Sequence, residues 1–247
     1  MTAISQPWRL PDADLTLSAH EVHVWRASLS ASETRLADYR AILADDERNR
    51  AARFRNPRHG AHYTVGRGVL RMLLGRYLNR PPQDIRFSYS QYGKPFIEDA
   101  AATLRFNLSH SQDLALYAFT QQREIGIDIE YIRSVPSRDQ IAEQFFSPNE
   151  TQALRALPAA QQAVGFFNCW TRKEAYIKAH GEGLSLPLDQ FDVTLAPGEP
   201  AVLLDTRVAS DRAERWALHA LQPGANYLAA LAVEGHDWTL STWQWPG

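Results

Sequence analysis

Two long stretches of helical periodicity, each followed by a run of short strand-like segments, constrain this chain most. The first spans about 58–78, where Val65, Val69, Leu73 and Tyr77 recur every four residues before Pro81-Pro82 ends the helix. Strands are predicted near 85–89, 105–108, 114–120 and 124–130, with Tyr92-Gly93-Lys94-Pro95 as a turn between the first two. The second stretch lies near 160–180 and closes on Gly181, a residue suited to the left-handed position after a helix. Helices starting near 137 and 148 precede it, and strands near 190–195, 214–221, 226–233 and 238–243 follow. Ahead of both, residues 21–26 alternate as a strand. Ser30 and Glu33 form a capping box for a helix reaching about Ala44, and another helix runs from Asp45 to Phe54. The pattern predicts an α+β fold of two similar α/β halves, residues 1–122 and 123–247, with the seam near 121–126.

Composition narrows the class. A hydrophobic share of 45% and a charged share of 22% are those of an ordinary globular protein, which excludes a disordered or collagen-like chain. Cys169 has no second cysteine to pair with, which favours a reducing, cytoplasmic setting. The start, MTAISQPWRL, lacks the basic flank and apolar core of a signal peptide, and no run of 18 apolar residues predicts a membrane span. Of 26 basic residues only Lys94, Lys173 and Lys178 are lysines. Lysine is a compact, flexible point charge that arginine does not replace everywhere. All three lie in motif-like segments.

In Gly126-Ile127-Asp128-Ile129-Glu130 the two acids are two apart on a strand, so they project from one face with Cα atoms about 6–7 Å apart. Paired carboxylates suit Mg²⁺, which takes one or two protein carboxylates plus substrate phosphates. Taken alone, the segment also reads as a half-buried strand with solvated acids. Trp170, Glu174 and Lys178 form one row on the long helix, putting Glu174 at the margin of the apolar face and Lys178 one turn on. That row is compatible with a surface Glu–Lys pair, which leaves two of three lysines in one motif unexplained.

Asn107-Leu108-Ser109-His110-Ser111 offers a hydroxyl and an imidazole for phosphate oxygens, or a plain turn. A Ser-His nucleophile pair is disfavoured, because adjacent strand residues diverge and no orienting carboxylate is evident. Tyr92-Gly93-Lys94-Pro95 can bring backbone and an ammonium close to a ligand. Ser147-Pro148-Asn149-Glu150 is a helix start, which gives Glu150 a structural role. Arg48, Arg50, Arg53, Arg55 and Arg58 make a local positive patch suited to phosphate, in a chain of net charge −2. His59 and His62 follow without further ligands for a metal, and Cys169 reads as a small buried side chain.

Taken together, Gly93-Lys94-Pro95, Phe106-Asn107-Leu108-Ser109-His110-Ser111, Gly126-Ile127-Asp128-Ile129-Glu130, Phe145-Phe146-Ser147 and Trp170-x-x-Lys173-Glu174-Ala175-x-x-Lys178 resemble the 4′-phosphopantetheinyl transferases of the surfactin-synthetase type. The likeness runs from about Asp45 through Gly181-Glu182-Gly183-Leu184-Ser185-Leu186-Pro187. It implies halves related by a pseudo-twofold with coenzyme A between them, and a monomer. It also implies transfer of the phosphopantetheine arm to a serine of an apo carrier protein, releasing adenosine 3′,5′-bisphosphate.

By this resemblance Asp128, Glu130 and Glu174 would surround Mg²⁺, and Lys178 would contact the diphosphate with Lys173 supporting nearby charge. Gly93-Lys94-Pro95 would lie along the adenine, Ser109 and His110 would reach the phosphates, and Arg50 and Arg53 would serve the 3′-phosphate. The family's basic residue before Tyr63 is here His62, whose neutral form would bind that phosphate less well. Glu174, or a water held by the metal, is the first choice of general base and Glu150 the second. A Mg²⁺-dependent nuclease would want a basic track along a duplex, which the net charge of −2 does not supply. A non-catalytic nucleotide or carrier-binding module would have no need of three acids around one metal. Neither nucleic acid nor membrane is an expected partner.

Overall fold

The computed structural model describes residues 7–11, 15–99, 103–181, 186–209 and 211–247. Residues 182–185 of the glycine-rich tail therefore lie outside the described residues. The first half supplies β1 (Glu21–Ser28), α1 (Glu33–Ile42), α2 (Asp45–Ala52), α3 (Pro57–Leu78), β2 (Phe87–Tyr89), β3 (Pro95–Ile97), β4 (Leu104–Ser111) and β5 (Leu114–Gln121). The second supplies β6 (Ile125–Tyr131), α4 (Arg138–Phe145), α5 (Pro148–Ala156), α6 (Ala159–His180), β7 (Phe191–Val193), β8 (Leu203–Thr206), β9 (Trp216–Leu221), β10 (Tyr227–Glu234) and β11 (Thr239–Gln244).

The halves stack as helix, sheet, sheet, helix, and the period-2 alternation of the strands builds every layer. In β1 and β5, Trp25, Ala27, Ala115, Tyr117 and Phe119 face α3, packing on Val65, Val69 and Leu73. Their alternates Val22, Val24, Leu116 and Ala118 face the other sheet, where Ile125, Ile127, Ile129, Leu231 and Val233 meet them. On the far side of that sheet, Ala230 and Ala232 of β10 pack under Phe166, Ala175 and Tyr176 of α6. Ile125, Ile127 and Ile129 thus fill the inter-sheet core, which leaves Gly126, Asp128 and Glu130 turned the other way, toward α6.

Strand order in the first sheet is β11-β1-β5-β4, and in the second β6-β10-β9. β11 comes from the second half of the chain yet pairs in parallel with β1, with Trp243 opposite Trp25. A division into 1–122 and 123–247 therefore leaves one strand on the wrong side. Its apolar face explains the crossing, because Trp243 lies 6.1 Å from the Trp25 ring and joins the core under α3.

Other differences are local. The N-cap of α1 is Ser32, whose side chain accepts from the Arg35 amide, and not Ser30. Ser30 instead gives its amide to Ser28 in the turn after β1. The helix predicted to reach Phe54 ends at Ala52, and β4 runs through Ser111, so Ser109 and His110 lie inside a strand. The short strands β3 and β8 are additional. Gly181 does close α6 in the left-handed conformation, at φ 84°.

Candidate active site

The two sheets meet edge to edge at β4 and β6, and side chains join them. The Asn107 carboxamide oxygen accepts from the Ile127 amide at 2.9 Å. One register step on, Ser109 donates to Asp128 Oδ1 at 2.9 Å, and two residues later Ser111 donates to Glu130 Oε2 at 3.0 Å. The alternation that puts residues 107, 109 and 111 on one face of β4 thus aims three polar groups at one face of β6. Gly126 sets the depth: a Cβ there would lie 2.1 Å from the Ala175 carbonyl oxygen and 2.2 Å from the Ala179 nitrogen. Only a residue with no side chain lets β6 approach α6 this closely.

That approach delivers Lys178 to the acids. Its ammonium donates to Asp128 Oδ1 at 2.5 Å and to Ser109 Oγ at 3.1 Å. Burial raises the Glu174 carboxyl above its ordinary range, the Asp128 charge raises it further, and Lys178 opposes both. Glu130 is raised too, by burial first and then by Asp128. Three carboxylates share the Lys178 ammonium, with Arg133 acting on Glu130, and remain short of positive charge.

The donor set suits a hard divalent cation. Asp128 Oδ2 is buried and has no hydrogen-bond partner, an orphan of the kind a cation satisfies. All donors are carboxylate oxygens, the chemistry Mg²⁺ selects. Among the described residues no three His, Cys, Asp or Glu side chains are already gathered closely enough to hold a metal ion. The residues fit the cation in chemistry and charge, with Lys178 holding the positive charge in this structure.

Beside the acids runs a cleft of about 700 Å³. Ser109, His110, Ser111 and Glu130 line one part, and Arg50, Arg58, His62 and Arg67 another, with Gly93 and Pro95 in the wall. Gly93 makes the β2–β3 turn at φ 83°, where nothing lies within 4 Å of an added Cβ, so conformation and not space requires glycine. A polyanion is the matching ligand: cations along the cleft, acids and one ammonium at its side.

Two family models match the chain, one described as "4'-phosphopantetheinyl transferase, N-terminal" over residues 25–122 and one as "4'-phosphopantetheinyl transferase superfamily" over residues 124–232. The 4'-phosphopantetheinyl transferase HetI of Nostoc sp. is 42% identical over 244 residues, which is 98% of this chain and 100% of that protein. The chain belongs to the 4′-phosphopantetheinyl transferase superfamily. The transferase Sfp of Bacillus subtilis is 37% identical over 157 residues, covering 64% of this chain and 68% of its own. A phosphopantetheinyl transferase of Thraustochytrium sp. is 30% identical over 240 residues, covering 92% and 81%.

The structure brings Asp128, Glu130, Glu174 and Lys178 into one another's reach, and it places Lys173, Glu150 and Arg53 elsewhere. Lys173 does not reach the cleft. It is 1% exposed, donates to the Leu188 and Phe191 carbonyl oxygens and pairs with Glu150 at 2.7 Å. Glu150 is equally buried and accepts from the Ser147 and Val193 amides, so it braces the start of α5. Lysine suits this place because a compact ammonium fits between two carbonyls and a carboxylate. Arg53 caps the C-terminus of α2 and is not among the residues lining the cleft.

Lys94 joins the two halves of the chain. Its ammonium is engaged by Glu124, the Ile125 carbonyl and the Ala179 carbonyl, tying the β2–β3 hairpin to the second half. Gly93 and Pro95 remain in the wall. Arg50 lies over the Tyr63 ring, 5.4 Å from its centroid, and His62 lines the cleft with burial holding its pKa below the ordinary value. Burial also lowers His110, with Lys178 adding to the effect.

Sequence reasoning passed over Arg67 and Arg71. Both pair with the buried Glu47, Arg67 through Nε at 2.6 Å and Arg71 through Nε at 2.6 Å. The signal was present: two arginines four apart interrupt the buried stripe of α3, where a charge survives only when paired.

Proposed function

We propose that this transferase moves the 4′-phosphopantetheine arm of coenzyme A to a serine of an apo carrier protein, giving holo carrier and adenosine 3′,5′-bisphosphate, with Mg²⁺ at Asp128, Glu130 and Glu174. The observation that carries the reading is the Asp128–Lys178–Ser109 contact, with an orphaned carboxylate oxygen, beside a cleft lined by arginines. The attacking hydroxyl comes from the partner, so the chain needs no nucleophile. It must bind a polyanion, neutralise charge on the diphosphate and accept one proton.

Arg50, Arg58 and His62 take the phosphate-rich end of the donor in the cleft, with Gly93 and Pro95 along the base. Lys178 supplies positive charge where the diphosphate is cleaved. Glu174, whose basicity burial and the neighbouring acids increase, accepts the serine proton. A bound Mg²⁺ would act as a Lewis acid on the diphosphate. We read the chain as a cytoplasmic monomer without nucleic-acid or membrane partners. One chain supplies both walls of the cleft, its lone cysteine is buried, and no helix among the described residues is long and apolar enough to cross a membrane.

Intact-mass spectrometry tests the function. An apo carrier incubated with enzyme, coenzyme A and Mg²⁺ should gain one phosphopantetheinyl group, with no gain in EDTA or on a carrier whose acceptor serine is alanine. No gain across fatty-acid, polyketide and peptide carriers would favour a binding module.

Two variants probe the donor's ends. Lys178→Ala should raise the KM for coenzyme A by about tenfold, the scale of a charge-assisted contact. Lys178 holds the Glu174 pKa down, so its loss should also move the acidic limb of the pH–rate profile to higher pH. Unchanged KM and an unmoved limb would remove Lys178 from the site. His62→Arg puts a permanent charge where a mostly neutral imidazole stands and should tighten coenzyme A by about tenfold, but not its 3′-dephospho form. Equal effects on both donors would take His62 away from the 3′-phosphate.

A further inference from the structure

The cleft end beside α3 carries an anion of its own. α3 opens at Pro57 with Asn56 as cap, and Arg58, His59 and His62 in its first turns line the cleft. Such a helix start favours negative charge. The β4–β5 turn comes back over it. Gln112 takes a left-handed conformation at φ 50°, and the next residue, Asp113, is anchored by its carbonyl oxygen accepting from the Leu29 amide at 2.8 Å. One carboxylate oxygen of Asp113 then meets Arg58 at 2.5 Å and His62 at 3.3 Å.

Stability does not account for this arrangement. The Arg58 and Asp113 side chains are 61% and 47% exposed, and exposed ion pairs contribute little to folding. Their effect falls on what else Arg58 and His62 can hold. A phosphate entering this end finds both of them already facing a carboxylate, and meets that carboxylate's own charge.

We propose that Asp113 is a positioning residue that sets donor affinity, its carboxylate standing in for the terminal phosphate of coenzyme A at Arg58 and His62 until that phosphate takes its place. This rests on the transferase reading, with the 3′-phosphate at the α3 end of the cleft. Asp113 weakens the grip on the donor's phosphate and pre-orders Arg58 and His62 for it. It acts only on donors that carry that phosphate.

Titration calorimetry at pH 8, where His62 is neutral with or without its neighbour, isolates the effect. Coenzyme A and 3′-dephospho-coenzyme A are titrated into the full-length protein, Asp113→Asn, Asp113→Glu, Arg58→Gln, and Asp113→Asn with Arg58→Gln. Asp113→Asn should tighten coenzyme A about fivefold, the size of one released exposed ion pair, and leave the dephospho form unchanged. Asp113→Glu should return toward the unsubstituted value, and the gain should vanish when Arg58 is also replaced. In turnover the gain should appear in KM rather than kcat. Coenzyme A affinity that is unchanged or weaker in Asp113→Asn, or equal tightening of both donors, would overturn the proposal. If the unsubstituted protein binds no coenzyme A, the transferase reading itself fails.

Discussion

Asp128→Ala is expected to lower turnover by at least about 10³-fold while the protein stays folded. Asp128 is in contact with both the other sheet and α6, through Ser109 and Lys178. Alanine removes the orphaned oxygen, the Lys178 partner and one of three donors for a cation together. It does not leave the proposed base protonated. Asp128 raises Glu174, so without it Glu174 ionises more readily, and lost turnover would not come from a protonated base. Folding should survive, because repulsion among three acids is relieved as the ion pair is lost. A change of about 1 kcal/mol in a chain this size moves Tm by about 2–4 °C. The check is carrier mass after incubation with Mg²⁺, beside calorimetric binding of coenzyme A and a melting curve. Near-normal turnover in Mg²⁺ would end the metal assignment.

Gly126→Ala should be the most destabilising single-methyl change in the site. The new Cβ would stand 2.1 Å from one helix backbone atom and 2.2 Å from another. No rotamer change relieves a clash with main chain, so β6 and α6 must separate. Overpacking of this kind costs about 3 kcal/mol, a Tm loss of about 6–12 °C. Separation also draws Lys178 away from Asp128, so the surviving folded fraction should turn over slowly. Calorimetry and single-turnover kinetics on the same preparation decide it. An unshifted Tm with full activity would mean that the strand–helix spacing is not what positions the acids.

The chemistry-bearing segments were legible in the sequence because each is a short run whose period fixes a face. Asp128 and Glu130 two apart on a strand, and Glu174 and Lys178 four apart on a helix, needed only those two periods to be placed side by side. What could not be read is pairing across the fold. Lys173 sits in the same helical motif as Lys178, yet a step of five residues turns it to the opposite side, where Glu150 and two carbonyls enclose it. Arg53 and Arg50 look alike in the basic run, but of the two Arg50 lines the cleft and Arg53 stands at the C-cap of α2. Glu47 was invisible as a partner of Arg67 and Arg71, because more than twenty residues and a helix turn separate it from Arg71. Ser30 and Ser32 both precede a helical run, and the cap is settled by backbone conformation, which composition does not encode.

The parallel pairing of β11 with β1 joins residues more than two hundred apart. During synthesis the first sheet is therefore left with β1 as an open edge until residues 239–244 have emerged. Helix α3 and its arginines can gather early, but the edge of their sheet closes only when residues 239–244 arrive. Completion of that sheet is thus a late event, timed by β11 instead of by the half that carries the cations. A nascent chain halted after β10 would expose β1 to foreign strands, and a chaperone that shields that edge would act in the interval.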